Sequence, residues 1–308
     1  MAVTHYIIKV CYMEMIGFIG LGIMGRPMAK NLVKAGFSVT GFDVVQANLD
    51  DAAQGGVIPA KSVAEVARQA SIIIHMLPTP AICISTALGP DGVGAHAKPG
   101  TLVIDMSSIS AMTAQEIYKG LTEKGLHMID APVSGGEPKA IDGTLAIMVG
   151  GSMENFTRAL PVLEALSSSV LRIGEIGAGC IAKLANQIMV GGNIAAMGEA
   201  FALAAKAGVD PGLVFDAIRG GLAGSTVLEQ KGPKILARDY NPGARMEIHI
   251  KDFVNVLETA HGISCPTPLT ALVMEMMQSI KANGEGHIDH GSVVRFYERA
   301  ANIEVKRG

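Results

Sequence analysis

The stretch from residue 15 to residue 36 restricts the possible folds of this chain more than any other. It reads MIGFIGLGIMGRPMAKNLVKAG: an apolar run, three glycines spaced as Gly20-x-Gly22-x-x-Gly25, and an amphipathic segment that ends in glycine. This pattern predicts a strand, a tight turn at Gly20 and a helix that packs closely on the strand through Gly25. Gly22 has no Cβ, so an anionic group can approach the backbone there, where the helix presents free N–H groups.

Strand-like and helix-like patterns alternate in the first part of the chain, and only helical patterns follow. Runs such as SIIIHMLP and TLVIDMSS are typical of buried strands, and the helical segments between them end in glycine. Alternation predicts parallel strands with crossover helices. We therefore predict an α/β Rossmann-type N-terminal domain with a mostly parallel sheet (15–176). An all-α C-terminal domain (177–308) follows, begins with a long inter-domain helix and supplies substrate and oligomer contacts. Residues 1–14 precede the first strand as an extension.

The predicted turn and the end of the second strand indicate a dinucleotide cofactor. Asp43 ends the run FSVTGFD, 23 residues after Gly20, where a carboxylate accepts hydrogen bonds from adenosine ribose hydroxyls. It would repel a 2′-phosphate, and the following VVQAN contains no arginine to bind one, so the predicted cofactor is NAD. The alternative is that Asp43 only caps the next helix. The predicted loop residues are Gly20, Leu21, Gly22, Ile23, Met24 and Gly25.

Composition excludes several other classes of protein. Hydrophobic residues make up 49% of the chain and charged residues 17%, as in a folded globular protein, and the net charge of −3 offers no basic surface for nucleic acid or an anionic membrane. The least charged stretch, 184–205, contains Asn186, Gln187, Asn193 and Glu199, which favours a buried helix over a membrane span. The four scattered cysteines indicate free thiols, so we predict a cytoplasmic protein.

Five segments together resemble the 3-hydroxyisobutyrate dehydrogenase family, the short β-hydroxyacid dehydrogenases. In order, they are FIGLGIMGRPMAKNL (18–32), DMSSI (105–109), DAPVSGGEPKA (130–140), GAGCIAKLANQ (177–187) and HIKDFVNVL (249–257). Within the family, DAPVSGGEPKAIDGTL and IRGGLAGS are most similar to the reductases of tartronate semialdehyde (2-hydroxy-3-oxopropanoate). The resemblance implies NAD-dependent reduction of that semialdehyde to glycerate, with 3-hydroxyisobutyrate dehydrogenation as the nearest alternative.

Lys183 is the candidate for the proton donor that such a reduction requires. Hydride transfer to an aldehyde builds negative charge on its oxygen, and the histidines of the chain are scattered. Lys183 instead shares a helix face with Asn186 and Gln187, although a lysine that extends to the surface is the alternative. The resemblance makes Lys183 the general acid in reduction and the general base in oxidation, and makes both amides substrate contacts. Gln187 departs from the family, in which asparagine is usual at that position.

The resemblance also implies the remaining site residues. Ser134 and the amides of Gly135 and Gly136 are expected to bind the substrate carboxylate, unless they form a plain glycine-rich turn. Ser225, in GGLAGST, is expected to contact a substrate hydroxyl, unless the segment is a flexible loop between helices. The expected contacts along the cofactor edge are Met76, Leu77, Pro78, Ser108 and Lys251.

Two other functions and the state of assembly complete the expectations. An imine reductase has a similar fold but usually lacks the lysine, and a catalytically inactive dinucleotide-binding protein would also lack it. We predict no metal, because the HIDH segment (287–290) is interpreted as a polar loop. The long helix is apolar around most of its circumference, and its small residues, among them Gly191 and Gly198, would admit a second helix. A homodimer or homotetramer is therefore expected.

Overall fold

A computed structural model of the chain describes residues 15–308, and the predicted extension 1–14 lies outside the described residues. The chain divides into two compact units. The first ends at Lys183, and the second runs from Leu184 to Gly308. The dividing point falls within one long helix, Ala178–Lys206.

The first unit contains a nine-stranded sheet covered by helices. Its strands are β1 (Met15–Ile19), β2 (Ser38–Phe42), β3 (Ile58–Pro59), β4 (Ile72–His75), β5 (Leu102–Asp105), β6 (His127–Asp130), β7 (Val133–Ser134), β8 (Leu145–Gly150) and β9 (Ser167–Gly174). Its helices are α1 (Gly25–Lys34), α2 (Gln46–Gln54), α3 (Val63–Gln69), α4 (Pro80–Leu88), α5 (Val93–His96), α6 (Ala111–Thr122), α7 (Gly136–Asp142), α8 (Met153–Glu164) and the start of α9 (Ala178–Lys206).

The sheet has the order β3-β2-β1-β4-β5-β6-β8-β7, with β9 beside β8. The pairs from β3 through β6 are parallel, as is β8 with β9, whereas β8 runs antiparallel to β6 and β7. The predicted mostly parallel sheet is confirmed. From β1 the chain adds β2 and β3 on one side of the sheet and then β4, β5 and β6 on the other side. Open α/β sheets bind ligands at this change of direction between β1 and β4, outside the carboxyl ends of the strands.

Burial on both faces explains why the central strands are continuously apolar. Phe18 and Ile74 pack into the core on one face of the sheet, and Ile73 and Val103 pack into the core on the other. All four side chains are fully buried. Helices on both faces are the usual arrangement for parallel strands.

The structure contains two strands, β3 and β9, that the sequence pattern did not predict. β3 has only two residues, and both are exposed, so it has no apolar run to reveal it. β9 pairs only with β8 and its residues are exposed or half-buried, so its sequence SSSVLRIG lacks the apolar density of a central strand. Edge strands of this kind are specified by their neighbour rather than by their own composition.

The second unit is helical, as predicted. After the remainder of α9 it contains α10 (Pro211–Ile218), α11 (Thr226–Leu236), α12 (Met246–Gly262), α13 (Pro268–Ile280), a π-helical turn (Lys281–Glu285), a 3₁₀ turn (His290–Val293) and α14 (Val294–Ala301). Phe201, Phe253 and Met277 lie in its core. Helix α11 begins at the end of the segment GGLAGST (220–226), for which the sequence left a flexible loop as the alternative to a substrate contact. Ser225 is the N-cap of this helix.

Helix α9 is long and apolar enough to cross a membrane by length and composition. In the second unit, however, its side chains Ile194 and Phe201 are fully buried in the protein core. The predicted role of its glycines in assembly is not supported. A Cβ on Gly191 would collide with Phe253 of α12, and one on Gly198 would lie 3.2 Å from Val294 of α14. These glycines therefore admit helices of the same unit.

Candidate functional site

The loop between β1 and α1 has the geometry of a phosphate-binding turn. Gly20 has φ +95°, and a Cβ there would overlap the Met76 carbonyl oxygen, so only glycine fits. A Cβ on Gly25 would overlap the Gly20 carbonyl oxygen and lie 2.9 Å from the Phe18 ring. A Cβ on Gly22, in contrast, would meet no protein atom within 4 Å. The one glycine that faces open space is thus beside the start of α1, which has no side-chain cap.

Asp43 joins the end of β2 to this loop. Its Oδ2 accepts a hydrogen bond from the Leu21 N–H at 2.7 Å, and its Oδ1 accepts one from the Val45 N–H at 2.7 Å. The Asn48 side chain donates to the same Oδ1 at 3.3 Å. The carboxylate is half-buried and the next residue, Val44, is exposed. Asp43 therefore orients the glycine loop and the start of α2, while Oδ2, which accepts one hydrogen bond, retains capacity to accept a ribose hydroxyl.

The loops after β4 and β5 are tied together by a short chain of hydrogen bonds. Asp105 Oδ1 accepts from the Ser107 N–H at 2.9 Å, and Ser107 Oγ accepts from the Leu77 N–H at 3.0 Å. His75, fully buried in the adjacent position of β4, lies 3.8 Å from Asp105 Oδ2. These hydrogen bonds hold the backbone at Leu77, which follows Met76, and both are predicted cofactor-edge residues. Pro78 is exposed and Ser108 half-buried at the same edge.

The segment after β7 has an unusual backbone. Gly135 has φ +136° and Gly136 has φ +68°, a pair of conformations that L-residues avoid. A Cβ on Gly135 would collide with the Lys139 side chain. Ser134 is half-buried beside them. A serine hydroxyl and backbone N–H groups at the start of α7 are groups that can bind a carboxylate.

Lys183 lies in the second turn of α9 and is only 9% exposed. The start of this helix is held by Asp130, whose Oδ1 accepts from the Gly177 N–H at 2.7 Å and whose Oδ2 accepts from the Cys180 N–H at 2.8 Å. Burial raises the pKa of Asp130, although these two N–H groups act in the opposite direction. Burial likewise raises the pKa of the Cys180 thiol well above its ordinary value, and Asp130 adds to the effect, so the thiol remains protonated.

In the second unit, Gln187 is held by polar neighbours. Its Nε2 donates to Asp252 Oδ2 at 2.6 Å, and its Oε1 accepts from Asn186 Nδ2 at 2.9 Å. Lys251 Nζ lies 3.3 Å from the other oxygen of Asp252. The additional methylene that distinguishes glutamine from asparagine thus allows the amide to reach Asp252. One Nε2 hydrogen remains available for another acceptor.

A buried pair of histidines supports the same region. His249 Nε2 lies 3.3 Å from the Gln187 carbonyl oxygen, and His249 Nδ1 lies 2.8 Å from His290 Nδ1. Because a carbonyl oxygen can only accept, Nε2 of His249 carries the hydrogen, and a neutral His249 then accepts from His290. His290 is buried rather than part of an exposed polar loop.

The structure places the other predicted substrate residue, Ser225, at the start of α11. Its Oγ accepts from the Leu228 N–H at 3.0 Å, so it is an N-cap with its own hydrogen still free to be donated. Asp105, Ser107 and Asp130 were not predicted as site residues. The available signal was that β5 and β6 both end in aspartate directly before a loop. Within residues 15–308, no cluster of three or more His, Cys, Asp or Glu side chains is arranged to hold a metal ion.

Comparison with known proteins identifies the class of protein. Residues 15–174 match the family described as the NAD binding domain of 6-phosphogluconate dehydrogenase, and residues 177–297 match that described as NAD-binding of NADP-dependent 3-hydroxyisobutyrate dehydrogenase. The chain is 37% identical to the 2-hydroxy-3-oxopropionate reductase of Escherichia coli, with 93% of this chain and 98% of that protein covered. It is 36% identical to the 2-(hydroxymethyl)glutarate dehydrogenase of Eubacterium barkeri, with 95% and 98% covered.

A solved structure gives the same result. The 3-hydroxyisobutyrate dehydrogenase of Mycobacterium tuberculosis, solved with L-serine, has a TM-score of 0.85 and 33% identity, with 92% of this chain and 98% of that chain covered. The fold and these matches define an oxidoreductase that uses a dinucleotide. The chain belongs to the 3-hydroxyisobutyrate dehydrogenase family of NAD-dependent β-hydroxyacid dehydrogenases. The predicted family and cofactor are confirmed.

Proposed function

We propose that the protein reduces tartronate semialdehyde to glycerate with NADH and catalyses the reverse oxidation. The observation that carries this proposal is Lys183, a buried lysine on a helix anchored to the sheet, in the family segment GAGCIAKLANQ. The choice of substrate is supported by the 37% identity to the Escherichia coli reductase. The nearly equal identity to a 2-(hydroxymethyl)glutarate dehydrogenase makes the substrate the point that requires a test.

The chemical roles follow from charge. When bound, NADH supplies the hydride. The Lys183 ammonium group donates a proton to the carbonyl oxygen as negative charge develops there, and its neutral amine accepts that proton in the oxidation. Ser134 and the amides of Gly135 and Gly136 bind the substrate carboxylate, and Asn186 and Gln187 supply amide contacts in this proposal. Ser225 donates its remaining hydrogen to the hydroxyl that distinguishes tartronate semialdehyde from methylmalonate semialdehyde.

The cofactor contacts proposed here are the loop residues, Asp43 and the edge of the next two strands. Gly22 admits the pyrophosphate, because its missing side chain faces open space. Asp43 accepts from the ribose hydroxyls, and Lys251 completes the contacts. The loop residues are Gly20, Leu21, Gly22, Ile23, Met24 and Gly25, and the edge residues are Met76, Leu77, Pro78 and Ser108.

Steady-state kinetics with four compounds test the substrate. A site that pairs with a hydroxyl rejects the analogue without one by up to about 10⁴–10⁵, because its own polar group is left unpaired. We expect kcat/KM with NADH to be at least tenfold higher for tartronate semialdehyde than for methylmalonate semialdehyde. Glycerate should exceed 3-hydroxyisobutyrate in the reverse direction. Equal or reversed preference would assign the chain to 3-hydroxyisobutyrate dehydrogenation and leave the cofactor unchanged.

The exposed side chains of α9 and the cysteine content bear on the oligomeric state and the cellular location of the protein. We infer a cytoplasmic location from the four scattered cysteines. We infer a homodimer or homotetramer, because α9 exposes 65% of Met189 and 73% of Leu203, large apolar side chains that an interface would cover. Light scattering that gave a 32.0 kDa particle at micromolar concentration would contradict the assembly. We propose functional domains at 15–176 and 177–308, consistent with the two ranges matched by family models.

A further inference from the structure

The carboxylate of Asp130, at the end of β6, lies against β8 and the start of α9. Asp130 is the last residue of β6 and is fully buried. Its two oxygens accept from the Gly177 and Cys180 N–H groups at 2.7 and 2.8 Å, so the orientation of the carboxylate is fixed from both sides. The Cys180 side chain is itself buried. These donors belong to the first turn of α9 and the residue before it.

Two glycines make room for this carboxylate. Gly150 of β8 pairs with Asp130, and a Cβ on Gly150 would overlap Asp130 Oδ1. A Cβ on Gly179 would lie 2.9 Å from Asp130 Oδ2 and would overlap the Met148 carbonyl oxygen. Any side chain at either glycine would therefore separate β8 or α9 from the carboxylate.

The arrangement differs from the other helix caps of the chain. Ser62, Ser110 and Ser152 each cap the helix that they immediately precede. Asp130 caps α9 from a strand 47 residues away from Gly177. A local cap stabilises a helix, whereas a cap from the sheet also fixes where the helix lies. Burying a carboxylate is costly, and here it is offset by N–H donors at the positive end of a helix dipole.

We propose that Asp130 is a positioning residue for the catalytic step: it fixes the first turn of α9 against β6 and thereby places the Lys183 side chain. The inference rests on the proposed function, since it assigns importance to where Lys183 lies. Lys183 follows Cys180 by three residues, less than one helical turn, so a shift of the anchored turn moves it directly. Misplacement of a reacting group by about 1 Å can reduce the rate by roughly 10²-fold.

Asp130→Asn tests the inference, because the amide has one acceptor oxygen for the two backbone N–H groups. We expect kcat for semialdehyde reduction to fall at least tenfold, while the Kd for NADH, measured by fluorescence titration, stays within threefold. Asp210→Asn is the matched control. Asp210 caps α10 by accepting from the Gly212 N–H at 2.7 Å, but that helix carries no proposed site residue. The Gly212 and Gly308 N–H groups share Oδ1 of Asp210, an acceptor that asparagine keeps, so this control should change Tm little and leave kcat unchanged.

Lys183→Ala, measured in parallel, distinguishes failure of the proposed function from failure of the positioning role of Asp130. If Lys183→Ala retains turnover, the proposed function is wrong. If Lys183→Ala abolishes turnover and folded Asp130→Asn keeps a wild-type kcat, only the positioning role is overturned. Should Asp130→Asn fail to fold, Asp130→Glu decides, since it keeps both acceptor oxygens but moves them by one methylene against the anchored turn. A kcat at least threefold below wild type with an unchanged Kd for NADH supports the inference, and a wild-type kcat overturns it.

Discussion

Two alanine substitutions in the first loop separate binding of the cofactor from packing of the fold. Gly22→Ala places a methyl group where the structure has no protein atom within 4 Å, so the free energy of unfolding should change by no more than about 0.5 kcal/mol. The methyl group would occupy the space through which a pyrophosphate approaches the backbone. We therefore expect the Kd for NADH to rise at least tenfold, or about 1.4 kcal/mol.

Gly25→Ala is predicted to have the opposite profile. Its methyl group would overlap the Gly20 carbonyl oxygen and press on the Phe18 ring, so α1 must move away from β1. Overpacking of this kind costs roughly 1–3 kcal/mol. For a unit of this size, Tm should fall by about 2–4 °C per kcal/mol. Calorimetry and NADH titration of both variants distinguish the effects. Wild-type NADH affinity in folded Gly22→Ala would refute the placement of the pyrophosphate.

Three further changes have expected outcomes. Asp43→Ala should weaken NADH binding roughly tenfold and narrow its advantage over NADPH, because ribose acceptors and repulsion of a 2′-phosphate disappear together; a wild-type preference for NADPH would contradict this. Asp105→Asn weakens the bond to the Ser107 N–H, and Ser107 in turn holds the cofactor-edge residue Leu77, so titration should show several-fold weaker NADH binding. An unchanged Kd for NADH would count against this role of Asp105. Burial alone would raise the pKa of Asp289, but His290 and Lys231 outweigh it and hold the pKa below its ordinary value. The ionised carboxylate therefore stabilises the fold at neutral pH, and this contribution is lost as pH falls through the lowered pKa. The loss of unfolding free energy in Asp289→Asn, from denaturant titrations, should be largest near pH 7 and shrink below about pH 4; a loss independent of pH would refute this assignment.

Local spacing explains what the sequence could predict. The glycine turn, the acidic residue at the end of β2 and the strand–helix alternation each depend on residues close together in the chain, and the parallel sheet follows from them. The same holds for the helices of the second unit that have a clear apolar face. The edge strand β9 lacked such a pattern because only β8 pairs with it.

Contacts between distant residues explain what the sequence could not predict. Asp130 caps α9 across 47 residues, Gln187 bonds to Asp252 across 65, and His249 meets His290 across 41. No periodicity records such pairs, since each partner alone resembles an ordinary polar residue. Gly191 illustrates the same point, because its missing side chain serves Phe253 of its own unit rather than another copy of the chain.

A single-turnover measurement with Lys183 variants tests the central claim most directly. Enzyme saturated with NADH is mixed with tartronate semialdehyde, and the loss of NADH absorbance gives the rate of hydride transfer. Lys183→Ala should slow this step by about 10²–10⁴-fold while the Kd for NADH stays within a few-fold. Lys183→Arg keeps the positive charge but has no readily lost proton, so it should be similarly slow. A rate within threefold of wild type in folded Lys183→Ala would contradict the assignment of Lys183 as the proton donor.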